Sequence, residues 1–122
     1  MLQDHNLHSH SIAYGSGSGQ NSVTAHGAKD DQQSLWTIKE GHGDAVCEVG
    51  TPVRCGDTVQ LQHVATGKNL HSHHFKSPIS NNQEVSGFGD DGRGTASLFF
   101  LFLTAMNRLK SICDDSLLFI VC

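Results

Sequence analysis

The chain is short of positive charge. Lys and Arg number 8 against 12 Asp and Glu, a formal net charge of −4 with His neutral, which argues against a phosphate-binding surface because nucleic-acid affinity rests on clustered Lys and Arg. Charge of either sign is sparse, at 16% of residues, too little for a protein built on long helices, which draws heavily on Glu and Lys. Long apolar runs are missing as well. The longest, Ser97 to Met106, is about half the ~20 residues that a spanning helix needs, so no transmembrane segment is expected. Met1-Leu2-Gln3-Asp4-His5 has neither the basic nor the apolar part of a secretory leader. The four cysteines, Cys47, Cys55, Cys113 and Cys122, contain no C-x-x-C, and three pairings are open to them. Cys47 and Cys55 flank the turn Gly50-Thr51-Pro52 and can be joined if the backbone doubles back to within ~7 Å; equally, each can have its partner elsewhere. Cys113 and Cys122 read as free thiols.

What is plentiful is Gly, at 13 residues, and small polar side chains, a mixture suited to short strands and many turns. At 122 residues one domain is the expectation. An internal repeat organises it. Asn6-Leu7-His8-Ser9-His10 recurs as Asn69-Leu70-His71-Ser72-His73, an offset of 71 − 8 = 63. Gln20-Asn21-Ser22-Val23-Thr24 resembles Gln83-Glu84-Val85-Ser86 with one residue dropped, and Asp30-Asp31 is followed in the second copy by Asp90-Asp91. Ser34-Leu35-Trp36-Thr37-Ile38 aligns weakly with Ser97-Leu98-Phe99-Phe100-Leu101.

Thr58 to Val64 alternates apolar and polar residues, the period of a half-buried strand. Ala65-Thr66-Gly67-Lys68 reads as a turn and Asn69 to His73 as the returning strand of a hairpin. Ser77 to Asn82 is a loop by composition, matched in the first copy by Tyr14-Gly15-Ser16-Gly17-Ser18-Gly19; Val85 to Phe88 is a third strand, and a fourth lies around Trp36 and around Phe99. A unit of about four strands repeating at this length is a trefoil lobe or a propeller blade. The first strand of the opening lobe would lie before Met1, since Val59 less 63 is −4, and nothing after Leu103 repeats the His-Ser-His motif. The expectation is therefore about two lobes of three, over about 1–44 and 45–103, with Leu98 to Leu103 docking as the counterpart of the Trp36 strand. Met106 to Ile112 suits a helical turn or two.

Leu7-His8-Ser9-His10, Tyr14 to Gln20, Asp30-Asp31 with Trp36-Thr37-Ile38, and Asn69 to Phe75 through Gln83-Glu84-Val85-Ser86 resemble the stromal cell-derived factor two-like proteins, which are small MIR-domain proteins. The resemblance runs from about Leu7 to Gly94 and implies an incomplete all-β fold, a MIR β-trefoil over 1–94, with a divergent apolar tail over 95–122. It further implies a non-catalytic module of the endoplasmic reticulum lumen, acting with a DnaJ-type co-chaperone and the lumenal Hsp70 on misfolded or O-mannosylated client proteins. Mannosyl glycans are the alternative ligand. The chain departs from the pattern in lacking a leader, the first strand and a C-terminal retention signal, so the expectation is a version cut short at both ends. Candidate ligand-binding residues are His8, His10, Tyr14, Gln20, His71, His73 and Gln83. No cofactor is expected.

Other chemistry has a plainer counterpart at each position. Two residues apart on a strand share a side, so His8 with His10 and His71 with His73 could offer paired imidazoles to Zn or Cu; no third ligand is evident, and hydrogen bonds from the rings to backbone are favoured. Gly15 to Gly19 lacks the Lys-Ser/Thr ending of a phosphate loop and reads as a flexible turn. Asp30-Asp31 fits turn capping better than acid-base work, and Trp36 fits a core residue better than a sugar platform. No catalytic residue is nominated.

Overall fold

The computed structural model describes residues 4–53, 57–77 and 80–89. Six strands appear in chain order: β1 (Asn6–Ala13), β2 (Asn21–His26), β3 (Trp36–Glu40), β4 (Val59–His63), β5 (Asn69–Lys76) and β6 (Gln83–Phe88), with one short 3-10 turn at Gln32–Ser34. They form a single sheet, ordered β1-β2-β6-β5-β4-β3, with every neighbouring pair antiparallel. The all-β expectation holds, and each strand read from the sequence within the described residues is present. The strand carrying the second His-Ser-His runs further than expected, to Lys76. Asp90-Asp91, the run Leu98 to Leu103, the tail, and Cys55, Cys113 and Cys122 lie outside the described residues. Cys47 is disulfide-bonded.

The repeat in the sequence is a repeat in the backbone. In the first hairpin Leu7 faces Ala25, His8 faces Thr24 and Ser9 faces Val23; in the second, Leu70 faces Gly87, His71 faces Ser86 and Ser72 faces Val85. Both ladders then break at the same place, before Ala13 facing Asn21 and Lys76 facing Gln83. Each loop is closed by an equivalent bond, Tyr14 N–H to the Gln20 carbonyl at 2.9 Å and Ser77 N–H to the Asn82 carbonyl at 2.8 Å. The residue dropped between the copies falls inside this loop, where chain length can change without disturbing either ladder. Ser9 Oγ donates to the Ser22 carbonyl at 2.9 Å and Ser72 Oγ to the Glu84 carbonyl at 3.0 Å, so the same hydroxyl ties the same two strands twice.

The hairpins meet where β2 pairs with β6, over only two residue pairs, Asn21 with Gly87 and Ser22 with Ser86. Gly87 is there because the strands come close. A Cβ on it would lie 3.3 Å from that of Asn21 and 3.4 Å from that of Lys68. Side chains from the first copy's loop complete the join. The Tyr14 hydroxyl lies 2.9 Å from both the Val23 and Val85 carbonyls and accepts from Val23 N–H at 3.1 Å; Val23 and Val85 are equivalent positions of the two copies. Gln20 Oε1 accepts from Ser86 Oγ at 2.5 Å, and Ser18 Oγ donates to the Glu84 carboxylate. One loop thus grips residues 84, 85 and 86 of β6 in succession.

The sheet curls until its edge strands approach, and Trp36 bridges them, its indole N–H donating to the Leu7 carbonyl at 2.9 Å. The Trp36 ring rests against His63, 4.9 Å away between centroids. His63 is fully buried; its Nε2 lies 2.9 Å from the Gln33 carbonyl and its Nδ1 2.8 Å from the Thr66 hydroxyl. Because a carbonyl only accepts, Nε2 carries the hydrogen and Thr66 donates to Nδ1. Among the described residues the buried hydrophobics are Val59 and Leu70, whereas Ser9, Ser22, Gln60, His63, Asn69, Glu84 and Ser86 are buried and polar.

Tyr14→Phe keeps the ring and removes the hydroxyl that both copies share. It is expected to cost about 1–3 kcal/mol, because carbonyl acceptors and an N–H donor lose their partner, and to lower Tm by several degrees. A thermal melt unchanged by the substitution would show that the hydroxyl does not hold the copies together.

Candidate functional site

Strand alternation places His8 and His10 on one side of β1 and His71 and His73 on the equivalent side of β5. The rings stack edge to face in both copies, His8 with His10 at 5.2 Å and His71 with His73 at 5.1 Å. The second strand of each hairpin adds a ring, His26 at 4.9 Å from His8 and Phe88 at 5.2 Å from His71, tilted by 38° and 39°. Phe75 extends the second ladder, 5.1 Å from His73. Beside these half-buried imidazoles stand exposed apolar side chains: Ile12 is 66% exposed, Phe75 53% and Phe88 41%.

Each ladder is anchored by a carboxylate. Asp31 Oδ2 lies 2.5 Å from His8 Nδ1. The same oxygen accepts from Ser34 Oγ at 2.6 Å, while Oδ1 accepts from Gln33 N–H at 3.1 Å, so Asp31 caps the 3-10 turn as its sequence position suggests. The Ser34 hydroxyl, with His8 and the Gln33 N–H, outweighs partial burial and holds the Asp31 carboxyl down to about 2. In the second copy Glu84 Oε1 lies 3.0 Å from His73 Nε2. Glu84 is 3% exposed, and burial pushes its carboxyl up; the hydroxyl and N–H of Ser18 together with His73 outweigh that and keep it below the ordinary value. Its Oε2 is buried with no hydrogen-bond partner and packs against Gly17, whose φ is +73°. The glycine-rich run is therefore a turn, as expected, but one clamped by a buried carboxylate.

The nominated residues fall into three places. His8 and His10 lie on β1, His71 and His73 on β5, and Gln83 is exposed at the start of β6. Tyr14 and Gln20 are drawn into the join between the copies, where the hydroxyl and the amide oxygen are engaged. The expectation that the imidazoles bond to backbone needs correction: His8 and His73 meet carboxylates, because a carboxylate attracts an imidazole N–H more strongly than a carbonyl does. His10 keeps a backbone contact, its Nδ1 accepting from Ile12 N–H at 3.1 Å. Glu84 and His63 were not nominated; Glu84 stands where the first copy has Ser22, so the repeat gave no sign of it.

Ser34, Asp31 and His8 form one Ser-carboxylate-His group, and Ser18, Glu84 and His73 another. In both, the serine donates to the carboxylate and not to the imidazole, so the nucleophile-to-base contact of acyl-transfer catalysis is not made. Among the described residues no three His, Cys, Asp or Glu side chains converge as metal ligands, and no helix is long and apolar enough to cross a membrane. A separate open cleft is lined by Glu40, Asp44, Glu48 and Asp57 with Val46 and Pro52, and contains none of the nominated residues.

The family model described as the MIR domain matches residues 6–96. Over 88 residues the chain is 64% identical to stromal cell-derived factor 2-like protein 1 of Homo sapiens, a stretch covering 72% of this chain and 39% of that protein. It is similar in structure to the SDF2-like protein from Arabidopsis thaliana, at 50% identity and a TM-score of 0.67, covering 72% of this chain and 48% of that one. It is also similar to part of the S. cerevisiae protein O-mannosyltransferase Pmt1-Pmt2 complex bound to the sugar donor, at 31% identity and a TM-score of 0.60, covering 72% of this chain and 12% of that one. The chain spans about two fifths of the length of the curated relatives it matches.

The low carboxyl of Asp31 makes stability depend on acid in a set direction. Above about pH 5 the group is charged in both the folded and the unfolded chain, and its contribution is complete; as pH falls from about 5 towards 2 the unfolded chain takes up the proton first and the contribution is lost. Asp31→Asn removes this effect while keeping a cap. The Tm difference between the native chain and the variant should be level from pH 7 to 5 and shrink between 5 and 2. A difference that stays constant down to pH 2 would show that the charged pairing contributes nothing.

Proposed function

The chain belongs to the MIR-domain family, among the stromal cell-derived factor 2-like proteins, and from that premise we propose that it is a non-catalytic binding module of protein quality control in the endoplasmic reticulum lumen. Its partners on this reading are misfolded or O-mannosylated client proteins, a lumenal DnaJ-type co-chaperone and the Hsp70 system. The supporting observation is the surface that the repeat builds twice: carboxylate-anchored imidazoles beside exposed apolar side chains, Ile12 in one copy and Phe75 with Phe88 in the other. Such a surface offers hydrogen bonds and apolar contact together, which suits segments of unfolded chain.

A second reading, a carbohydrate-binding trefoil, is favoured by one feature. The exposed Phe88 ring beside the His71 imidazole offers an aromatic platform flanked by a hydrogen-bonding group, and the similarity to part of an O-mannosyltransferase complex agrees with it. A His-based metal site, the third possibility raised by the sequence, gains no support from the ring arrangement.

The deciding experiment mixes the folded chain with a chemically unfolded client, with and without a lumenal DnaJ-type partner, and follows light scattering. Client aggregation should be slowed, and the DnaJ-type partner should co-purify with the chain. Aggregation at the unassisted rate, with no co-purification by a folded sample, rejects the proposal. Titration with a mannosylated and a plain version of one peptide, followed by Trp36 fluorescence, separates the readings: binding of the mannosylated form alone favours the carbohydrate module.

A further inference from the structure

We propose that Asp31 is a positioning residue that fixes His8 with its hydrogen on Nδ1, so that His8 and His10 present one acceptor and one donor nitrogen, matched to the main-chain N–H and C=O of one residue of an extended client polypeptide. The inference rests on the client-binding reading of this surface and names the group it recognises.

The tautomers follow from the partners. Asp31 is ionised near neutral pH and its oxygens can only accept, so the nitrogen 2.5 Å away, His8 Nδ1, must carry a hydrogen. A neutral imidazole has one, which leaves Nε2 of His8 as an acceptor. His10 is set the other way. Its Nδ1 accepts from the Ile12 N–H, so its hydrogen is on Nε2 and that nitrogen donates. Among the described residues neither Nε2 has a hydrogen-bond partner, and neither is among the fully buried atoms left without one. His63 and His73 carry their hydrogen on Nε2, facing the Gln33 carbonyl and Glu84. Of these four rings, His8 alone is held with Nδ1–H.

The arrangement is specific to the first copy. In the second, the carboxylate grips the other ring of the pair, His73, and from the opposite nitrogen. The same ligand group would therefore meet a different donor and acceptor order there, and the two copies are not interchangeable sites.

In an extended chain the N–H and C=O of one residue point to the same side, an N–H for His8 Nε2 and a C=O for His10 Nε2–H. Ile12, whose N–H bonds His10, is 66% exposed and gives a client side chain an apolar contact. Among the described residues the rings stacked on His8 are imidazoles, His10 and His26, with no Phe, Tyr or Trp platform for a sugar face. Extended polypeptide fits this copy better than glycan.

The test is a long-range proton–nitrogen NMR correlation on the chain with labelled histidines at pH ~8.5, about two units above the ordinary imidazole value. His8 should show the Nδ1–H pattern and His10, His63 and His73 the Nε2–H pattern. In Asp31→Asn, whose amide can donate or accept, His8 should shift towards Nε2–H. Adding an unmodified, unstructured apolar peptide should move the His8 and His10 signals, and Asp31→Asn should weaken that binding about tenfold, the scale of one hydrogen bond to an aligned group. Should Asp31→Asn fail to fold, His10→Phe provides the binding arm, because it removes the donor and leaves the His8 tautomer in place. His8 found as Nε2–H in the native chain overturns the proposal and leaves client binding standing. So does peptide binding that moves neither ring, and so does a response to mannosylated peptide alone. Loss of all client binding with the His8 tautomer as assigned strikes the client reading and its amide ligand, and leaves Asp31 as the residue that sets the ring.

Discussion

One hydroxyl between two carbonyls holds the arrangement together. The Tyr14 oxygen sits at equal distance from the carbonyls of Val23 and Val85, the same position counted once in each copy, and the strand pairing beside it extends over only two residues on each side. Apolar burial cannot replace this join. Val59 and Leu70 are the buried hydrophobics among the described residues, and at roughly 1.5–3 kcal/mol each they contribute little next to the many fixed backbone dihedrals. Polar groups removed from water gain only about 1 kcal/mol net when bonded and lose about 1–3 kcal/mol when not. An interior of Ser, Gln, His, Asn and Glu is consequently stable in one geometry and costly in any other. Such a network specifies register more than it adds stability.

That constraint explains why the copies have kept their backbone and lost their likeness elsewhere. Ladder register, the break before residues 13 and 76, the loop-closing bond and the serine tie are all common to both. Side chains at the join differ: Tyr14 corresponds to Ser77 and Ser22 to Glu84. Each difference lies where a residue of one copy meets something the other copy does not meet. Glu84 is the clearest case, since its carboxylate reaches into the first copy's loop and contacts Ser18 and Gly17, whereas Ser22 pairs with Ser86.

Much of this was legible in the sequence, and the limits have a physical origin. A five-residue repeat fixes two equivalent strands, and alternation, Gly67 and the Ser-rich loop fix the hairpin around them, because these signals are local. Asp31 could be read as a cap for the same reason. The join between the copies could not be read. Tyr14 and Val85 are 71 residues apart, and nothing near Tyr14 distinguishes a tyrosine that binds a ligand from one that fastens two hairpins. The histidines were found by pattern but their partners were not, since Glu84 lies where the repeat itself would place a serine. Trp36, read as a core residue, is only half-buried and bridges the two edge strands through one N–H rather than filling an apolar core.

The repeated Asn-Leu-His-Ser-His segment serves folding and display at once, and strand geometry is the reason. With a period of two, Leu and Ser point to one side and the two His to the other. On the first side Ser9 is fully buried and tied to the neighbouring carbonyl, and Leu70 is one of the two buried hydrophobics. On the second side the imidazoles stack 5 Å apart, within reach of a carboxylate from a later turn or strand. A shift of register by one residue would exchange the two sides, burying imidazoles against the join and exposing the serines that make it. The contacts that hold the copies in register therefore also keep the histidine pairs at the surface, and a ligand site built on those pairs needs the join for its integrity even where it touches none of the join's residues.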